Sequence, residues 1–337
     1  MRALGSIDRG RMLWIVSTLG LIGITSPGCD VGPLRAWSIS RDTQWKFQPG
    51  DRFVCETSRT IRESTVIPAL LAQRQQPAMN VQEQFVREVW TVVSVDPAGT
   101  AEIQRRFDLI RAVVSSPVFV ACFDSSDSER GEESVADEFA RLRNVAGSDE
   151  QVYARLVAQN HRDALGDLRA ALRPLIGNGD LVHISKRGEL LDSHIPATLN
   201  QDVATALTKF LSDRADFKTL CLRMTGALPA GATKGASWQA TLIDPSAGKI
   251  VLNFAHQGTI ERAGTQLVKI KIKGRDDERS TSLESFRFAG VTLFDDAAGN
   301  IAESTWESEI VSAARSRDGN RGEQRVIVTQ TVKIERL

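Results

Sequence analysis

The sequence predicts an α+β protein: a large curved antiparallel sheet, wound as a meander, with a central helical segment packed on one face. Two observations predict this. Runs of β-branched and aromatic residues, joined by short turns rich in Asp and Gly, occupy both ends of the chain. Between them apolar residues recur at spacings of three and four, the period of an amphipathic helix.

From Arg52 to Val114 the pattern is that of strands. "RFVCETSRTI", "FVREVWTVVSV" and "TAEIQRRFDLIRAVV" are followed by "SSPVFVACF", and the turn "DPAG" (Asp96–Gly99) separates the second and third. "PALLAQRQQPAMN", with Pro68 and Pro77, reads as a long loop or frayed helix. "ESVADEFARLRNVAG" and "EQVYARLVAQNHRDALGDLRAALRPLIG" read as helices. In the latter Val152, Leu156, Val157, Leu165, Leu168, Leu172 and Ile176 form the core-facing stripe, and Pro174 ends it. "DLVHISKRGELLDSHIP" reads as a hairpin around Lys186-Arg187-Gly188. Two further helices follow, "NQDVATALTKFLSDRA", capped by Asn200 or Asp202, and "ADFKTLCLRMTG". From Ser237 onward strand follows strand. In "LVKIKIK" the alternation puts Val268, Ile270 and Ile272 on one face and Lys269, Lys271 and Lys273 on the other.

Residues 45–337 are thus expected to form one β-rich domain. "FQPGDRFVCETS" and "ATKGASWQATLI" each place a glycine (Gly50, Gly235) three residues before a strand-opening aromatic (Phe53, Trp238). This echo suggests a duplication of 45–123 and 228–337 around a helical middle, 134–226.

The first 28 residues read as a signal peptide. Arg2, Arg9 and Arg11 precede the uncharged run Met12–Thr25. That run falls short of the ~20 apolar residues that a membrane span needs. It ends in Ser26-Pro27-Gly28-Cys29. Gly28 fits a bacterial lipoprotein cleavage box, with Cys29 as the lipidation site, whereas Ser26 and Pro27 depart from the usual pattern. Ordinary signal cleavage near Gly28 is the alternative. Residues 29–44 then serve as a linker. The expected location is the periplasm or outer envelope, with a lipid anchor as the contact with the membrane. Cys55, Cys122 and Cys221 sit in apolar settings as buried small residues, and the absence of any CxxC leaves zinc and thioredoxin-like sites unsupported.

Charge excludes one class of partner. The chain has 42 basic and 42 acidic residues; removing the first 28, with three Arg and one Asp, leaves 39 and 41. Such a balance gives no electrostatic footprint for nucleic acid.

"WKFQPGDRF", "LIGNGDLVHISKRGELLD", "LPAGATKGASW" and "GVTLFDDAAGNIAEST" occur in this order from Trp45 to the C-terminus. In these motifs the chain resembles a domain-of-unknown-function family of exported proteins and predicted lipoproteins common in planctomycete bacteria. The resemblance implies an envelope location and a β-rich fold, and no activity.

The residues assign no catalytic group, no cofactor and no metal. Asp192, Ser193 and His194 are adjacent on an extended chain, so they cannot converge as a triad. His183 and His194 flank one hairpin and could meet across it, but two imidazoles without a third ligand are a weak site. The acidic loop Asp124–Glu133 lacks the register of a calcium loop. Trp45, Trp90, Trp238 and Trp306 read as core or cavity lining. The function expected is non-catalytic: binding or scaffolding in the envelope, with an envelope protein or an apolar ligand as partner. A carrier with a cavity between sheet and helices is one alternative, and a hydrolase with an unfamiliar site the other. If Cys29 is lipidated, Cys29→Ser will move the protein from the membrane fraction to the soluble fraction. A wild-type protein already soluble, with another mature N-terminus, removes the anchor.

Overall fold

The computed structural model describes residues 44–66, 78–116, 119–126, 166, 168–188, 190–213, 234–244, 248–276, 283–315 and 321–337. Its strands are β1 (Arg52–Val66), β2 (Ala78–Val95), β3 (Ala101–Ser116), β4 (Phe119–Asp124), β5 (Leu181–Ile184) and β6 (Leu190–His194), then β7 (Ser237–Asp244), β8 (Gly248–Arg262), β9 (Thr265–Asp276), β10 (Leu283–Asp295), β11 (Asn300–Arg315) and β12 (Arg321–Arg336). All twelve belong to one sheet, in the order β6-β5-β3-β2-β1-β12-β11-β10-β9-β8-β7, with β4 also on β3. The ladders between them are antiparallel, and β7 to β12 form the expected meander.

One feature of the expectation changes. The described residues make a mainly-β protein rather than α+β, because the strands run on for as many as 18 residues. Their helices are α1 (Gln201–Asp213), the helical residues 168–172 and the 3-10 turn Arg173–Leu175. None of these is long and apolar enough to cross a membrane. Asn200 proves to be the cap of α1, its side-chain oxygen accepting from the Asp202 amide at 2.8 Å. The expected helices over 133–147 and 215–226, the first part of the helix expected over 150–177 with Val152, Leu156, Val157 and Leu165, and the segment 67–77 lie outside the described residues.

The sheet is rolled. The amides of Trp45 and Lys46 donate to the carbonyls of Lys186 (2.8 Å) and Gly299 (2.9 Å). Consecutive amides hold those two carbonyl oxygens within about 10 Å of each other. Lys186 lies in the β5–β6 turn and Gly299 in the β10–β11 turn, five strand spacings apart from β5 to β11. A flat ladder would separate them by about 24 Å. The sheet stays open, with β6 and β7 as its edges, but it curls enough for these two turns to share the residues before β1, which fill that end of the concave face. Trp45 stacks on Phe47 with ring centroids 5.1 Å apart and meets Phe294 edge-on, while Phe47 meets Phe53. Gly299 (φ 70°) permits the clip, since a Cβ there would stand 2.7 Å from the Lys46 nitrogen.

One apolar face lines the inside of the roll. Trp238, Ile250, Leu252, Phe254, Ile270, Ile272, Phe286, Phe288, Ile301, Trp306, Val332, Phe53, Trp90 and Ile103 form a continuous core across the strands. A second cluster continues it on β2, β3 and β4, where Val86, Phe107, Ile110 and Phe123 receive Leu168, Leu172, Leu175 and Leu207 from the helical segments. Bulges keep the face in phase. Asp108 is skipped in the β2–β3 ladder and Ala302 in the β10–β11 ladder, so inward positions change from odd to even numbers without leaving the core. Trp306 fits because its neighbour across the ladder is Gly290, where a Cβ would press on the Trp306 Cβ at 2.7 Å.

The β9 register is the one expected. Ile270 and Ile272 are each 1% exposed, and Lys271 and Lys273 are exposed on the outer face. Ile270→Lys should therefore cost about 3 kcal/mol or more in a denaturant titration, whereas Lys271→Ala should stay within about 0.5 kcal/mol. Equal effects would overturn the register.

Candidate functional site

The inward face is apolar at the plugged end and changes character along the strands. In β1 the buried positions are confined to Phe53, Cys55 and Thr57, and in β12 to residues from Val328 onward. Beyond them the inner residues Ile61, Ile310 and Val326 are only half-buried and pack on the margin of the core. They are neighbours: Val326 faces Ile310 in the β11–β12 ladder, and Ile61 faces Val328 in the β1–β12 ladder. Gln324 donates to Glu63 at the same end. The roll thus has a packed, plugged end and a half-open end with apolar walls.

A belt of polar groups crosses the inner face between the two clusters. Arg105 on β3 is 2% exposed and forms a bidentate pair with Asp180, its Nε lying 2.9 Å from Oδ1 and a terminal nitrogen 2.5 Å from Oδ2. Its other terminal nitrogen lies 4.0 Å from Glu88, which accepts from the Trp90 indole at 2.9 Å. Ser193 on β6 donates to Asp180 at 2.9 Å. Arg105 and Glu88 occupy inward positions between Ile103 and Phe107 on β3 and between Trp90 and Val86 on β2. Buried charges of this kind stand only where pairing and hydrogen bonds offset their desolvation. His256 sits farther along the face, inward on β8 and 8% exposed, with neither ring nitrogen hydrogen-bonded; Gln82 Oε1 and Trp45 Nε1 are likewise buried without a partner. Unpartnered buried polar atoms are costly and mark places where a bound group would be favourable.

The outer face differs. A cleft of about 500 Å³ opens there beside the β8–β9 turn, lined by Glu56, Arg262, Glu303, Lys333 and Glu335 among others. Three of its charges are already engaged: Arg262 pairs with Glu303 at 2.7 Å, and Glu56 pairs with Arg87 at 2.8 Å. Paired, solvated charges offer little to an apolar ligand.

The sequence-singled residues are distributed as follows. Cys29, Cys221 and His161 lie outside the described residues. Cys55 packs in the inner face, and partial burial raises the Cys122 thiol pKa above its ordinary value. Trp45, Trp90, Trp238 and Trp306 all line the inner face. Of the acidic loop only its start is described. Burial raises the Asp124 pKa, but hydrogen bonds from Ser126 and the Arg111 charge outweigh this and hold it below the usual carboxylate range. Ser193 turns away from its neighbours to Asp180, as expected of adjacent residues on a strand. His183 and His194 do meet across the hairpin, with ring centroids 5.9 Å apart. Sequence reasoning missed what accompanies them: Asp192 stands directly opposite His183 in the ladder. The spacing around the Lys186-Arg187-Gly188 turn carried no signal for this, since it pairs Ile184 with Leu190 and only a register shift beyond that pair brings Asp192 opposite His183. It also missed the belt, since Arg105, Asp180 and Glu88 are far apart in sequence.

No family model and no curated protein matches the chain. Among solved structures the chain is similar to lipovitellin, in a structure concerned with its lipid–protein interactions, at 11% identity and a TM-score of 0.43. That match covers 86% of this chain, which spans only 25% of the lipovitellin chain. An outer membrane channel from Pseudomonas putida F1 matches at 7% identity and a TM-score of 0.21, over 88% of this chain and 100% of the channel. Neither likeness bears on the reading that follows.

The belt makes a sharp demand on stability. Asp180→Ala leaves the Arg105 charge buried opposite nothing and should cost about 3–5 kcal/mol in chemical denaturation. Ser193→Ala removes one hydrogen bond and should cost about 1 kcal/mol. A neutral Asp180→Ala would mean that the pair contributes nothing to the fold.

Proposed function

We propose that the rolled sheet is a binding module for an apolar, chain-like ligand such as a lipid acyl chain, and that it works in the cell envelope without catalysis. The observation that carries this reading is the change in burial along the inner face. Near the plug the walls are packed core, while Ile61, Ile310 and Val326 at the far end remain half-exposed on a surface that is otherwise continuous with it. A concave apolar wall with a few polar groups is the usual form of a small-molecule site, and His256, inward on β8 with neither ring nitrogen hydrogen-bonded, supplies such a group. Strand length is adequate too, since β1 alone rises by about 45 Å over its residues. The signal-like pattern of the first 28 residues and the resemblance to a family of exported proteins are the support for an envelope setting of the same module.

The test is direct. Protein expressed with its own leader and purified without detergent is analysed by native mass spectrometry, and its affinity for a fluorescent long-chain fatty acid is titrated. A co-purifying lipid mass and saturable probe binding are expected. Ile310→Glu and Val326→Glu should weaken probe binding at least about tenfold, because a carboxylate replaces apolar contact at the mouth, and Lys271→Ala should not. Absence of both lipid and saturable binding in the folded protein would reject the reading in favour of scaffolding.

A further inference from the structure

The hairpin at the β6 edge carries a second site, independent of the inner face. His183 lies on β5, opposite Asp192 on β6, and His194 follows Asp192 by two residues and so shares its face. One donor atom from each of the three lies within 4.8 Å of the others. Among the described residues this is the one such cluster of three metal-ligating side chains. Its side chains are accessible: Asp192 and His194 are exposed and His183 is half-buried.

The surroundings fix these donors. Val182 and Ile184, which flank His183, are buried on the inner face and hold β5 in place. Ser193, between Asp192 and His194, reaches inward to Asp180 at 2.9 Å, which pins β6 so that its two neighbours face out. The Asp192 carboxylate is oriented by the Ser193 amide at 2.7 Å. On the other side of His183, Glu102 of β3 stands directly opposite in the ladder and adds a second carboxylate to the same face.

We propose that His183, Asp192 and His194 bind a divalent transition-metal ion of the Zn²⁺ class, with at least one coordination position left to water. Two imidazoles and one carboxylate form a nitrogen-rich, borderline donor set. Such a set suits Zn²⁺ and its neighbours in the first row, and does not suit Ca²⁺ or Mg²⁺, which take oxygen ligands. Tetrahedral coordination at about 2.0–2.1 Å brings donors to roughly 3.4 Å from one another. The contraction needed from 4.8 Å is small for side chains at an exposed strand edge, and the backbone register need not change. Two of the three donors come from β6, so the ion would also clasp an edge strand that is held only by β5 among the other strands.

The experiment uses protein without a histidine tag, stripped with a chelator and titrated with Zn²⁺ by calorimetry, then with Co²⁺ as a spectroscopic probe. One Zn²⁺ per chain and a visible Co²⁺ spectrum typical of four- or five-coordinate nitrogen and oxygen donors are expected. His183→Ala, His194→Ala and Asp192→Ala should each weaken Zn²⁺ binding at least about a hundredfold, since losing even an outer partner of a ligand costs 10–100-fold. In chelator these variants should melt at the wild-type temperature, which separates lost ligation from lost folding. Zn²⁺ uptake by the His183→Ala/His194→Ala double variant equal to wild type, or no uptake by wild type, would overturn the site.

Discussion

The ladder between β1 and β12 is the constraint on which the rest depends. It runs from Phe53 opposite Arg336 to Val66 opposite Glu323. On one side of it lie β2, β3, β4, β5 and β6, and on the other the meander β7 to β12. Separated, each half would expose one wall of the apolar face. Joined, Phe53, Cys55, Val332 and Ile334 close the seam and the core of one half becomes continuous with that of the other. The partners are more than 250 residues apart, so this pairing bears a large loop-closure entropy that only the burial on both sides offsets.

The roll follows from that continuity. A flat sheet this wide would leave its inner aromatics in water; rolled, the sheet lets the β5–β6 and β10–β11 turns share the Trp45–Lys46 clip. Polar residues then occupy specific places on the inner face rather than being spread along it. Arg105, Asp180 and Glu88 stand where the first core cluster ends and the second begins, and they tie β3 to the chain entering β5. Their burial costs desolvation that two hydrocarbon side chains would not, so stability alone does not account for the belt.

Much of this was legible in the sequence and some was not, for physical reasons. Hairpins with local turns could be read: the Lys186-Arg187-Gly188 turn, the Asp96–Gly99 turn and the β9 alternation all depend on residues within a few positions of one another. Two strands were read short, β1 as far as Ile61 and β2 only from Phe85, because the residues that extend them to Val66 and back to Ala78 are mostly polar and carry little apolar alternation. The α+β expectation gave too little weight to how far β1 and β2 extend. Neither the β1–β12 seam nor the Arg105–Asp180 pair has a local signature. Both are properties of the roll. The third member of the histidine cluster was not legible, because the turn alone would set Leu191 opposite His183, and the register shift between His183 and Ile184 puts Asp192 there instead.

The clip and the seam also decide how the protein responds to tension. Arg52 and Leu337 lie side by side, the Leu337 amide donating to the Arg52 carbonyl at 2.9 Å. Both strand ends therefore emerge at the same, plugged end of the roll. A pull that separates them acts across the β1–β12 ladder and opens its hydrogen bonds one pair after another from that end. It does not load the whole ladder in parallel, as it would if the ends emerged at opposite poles. The seam is thus a zipper rather than a shear clamp, and the aromatic plug of Trp45 and Phe47 is the first thing a peeling force has to extract.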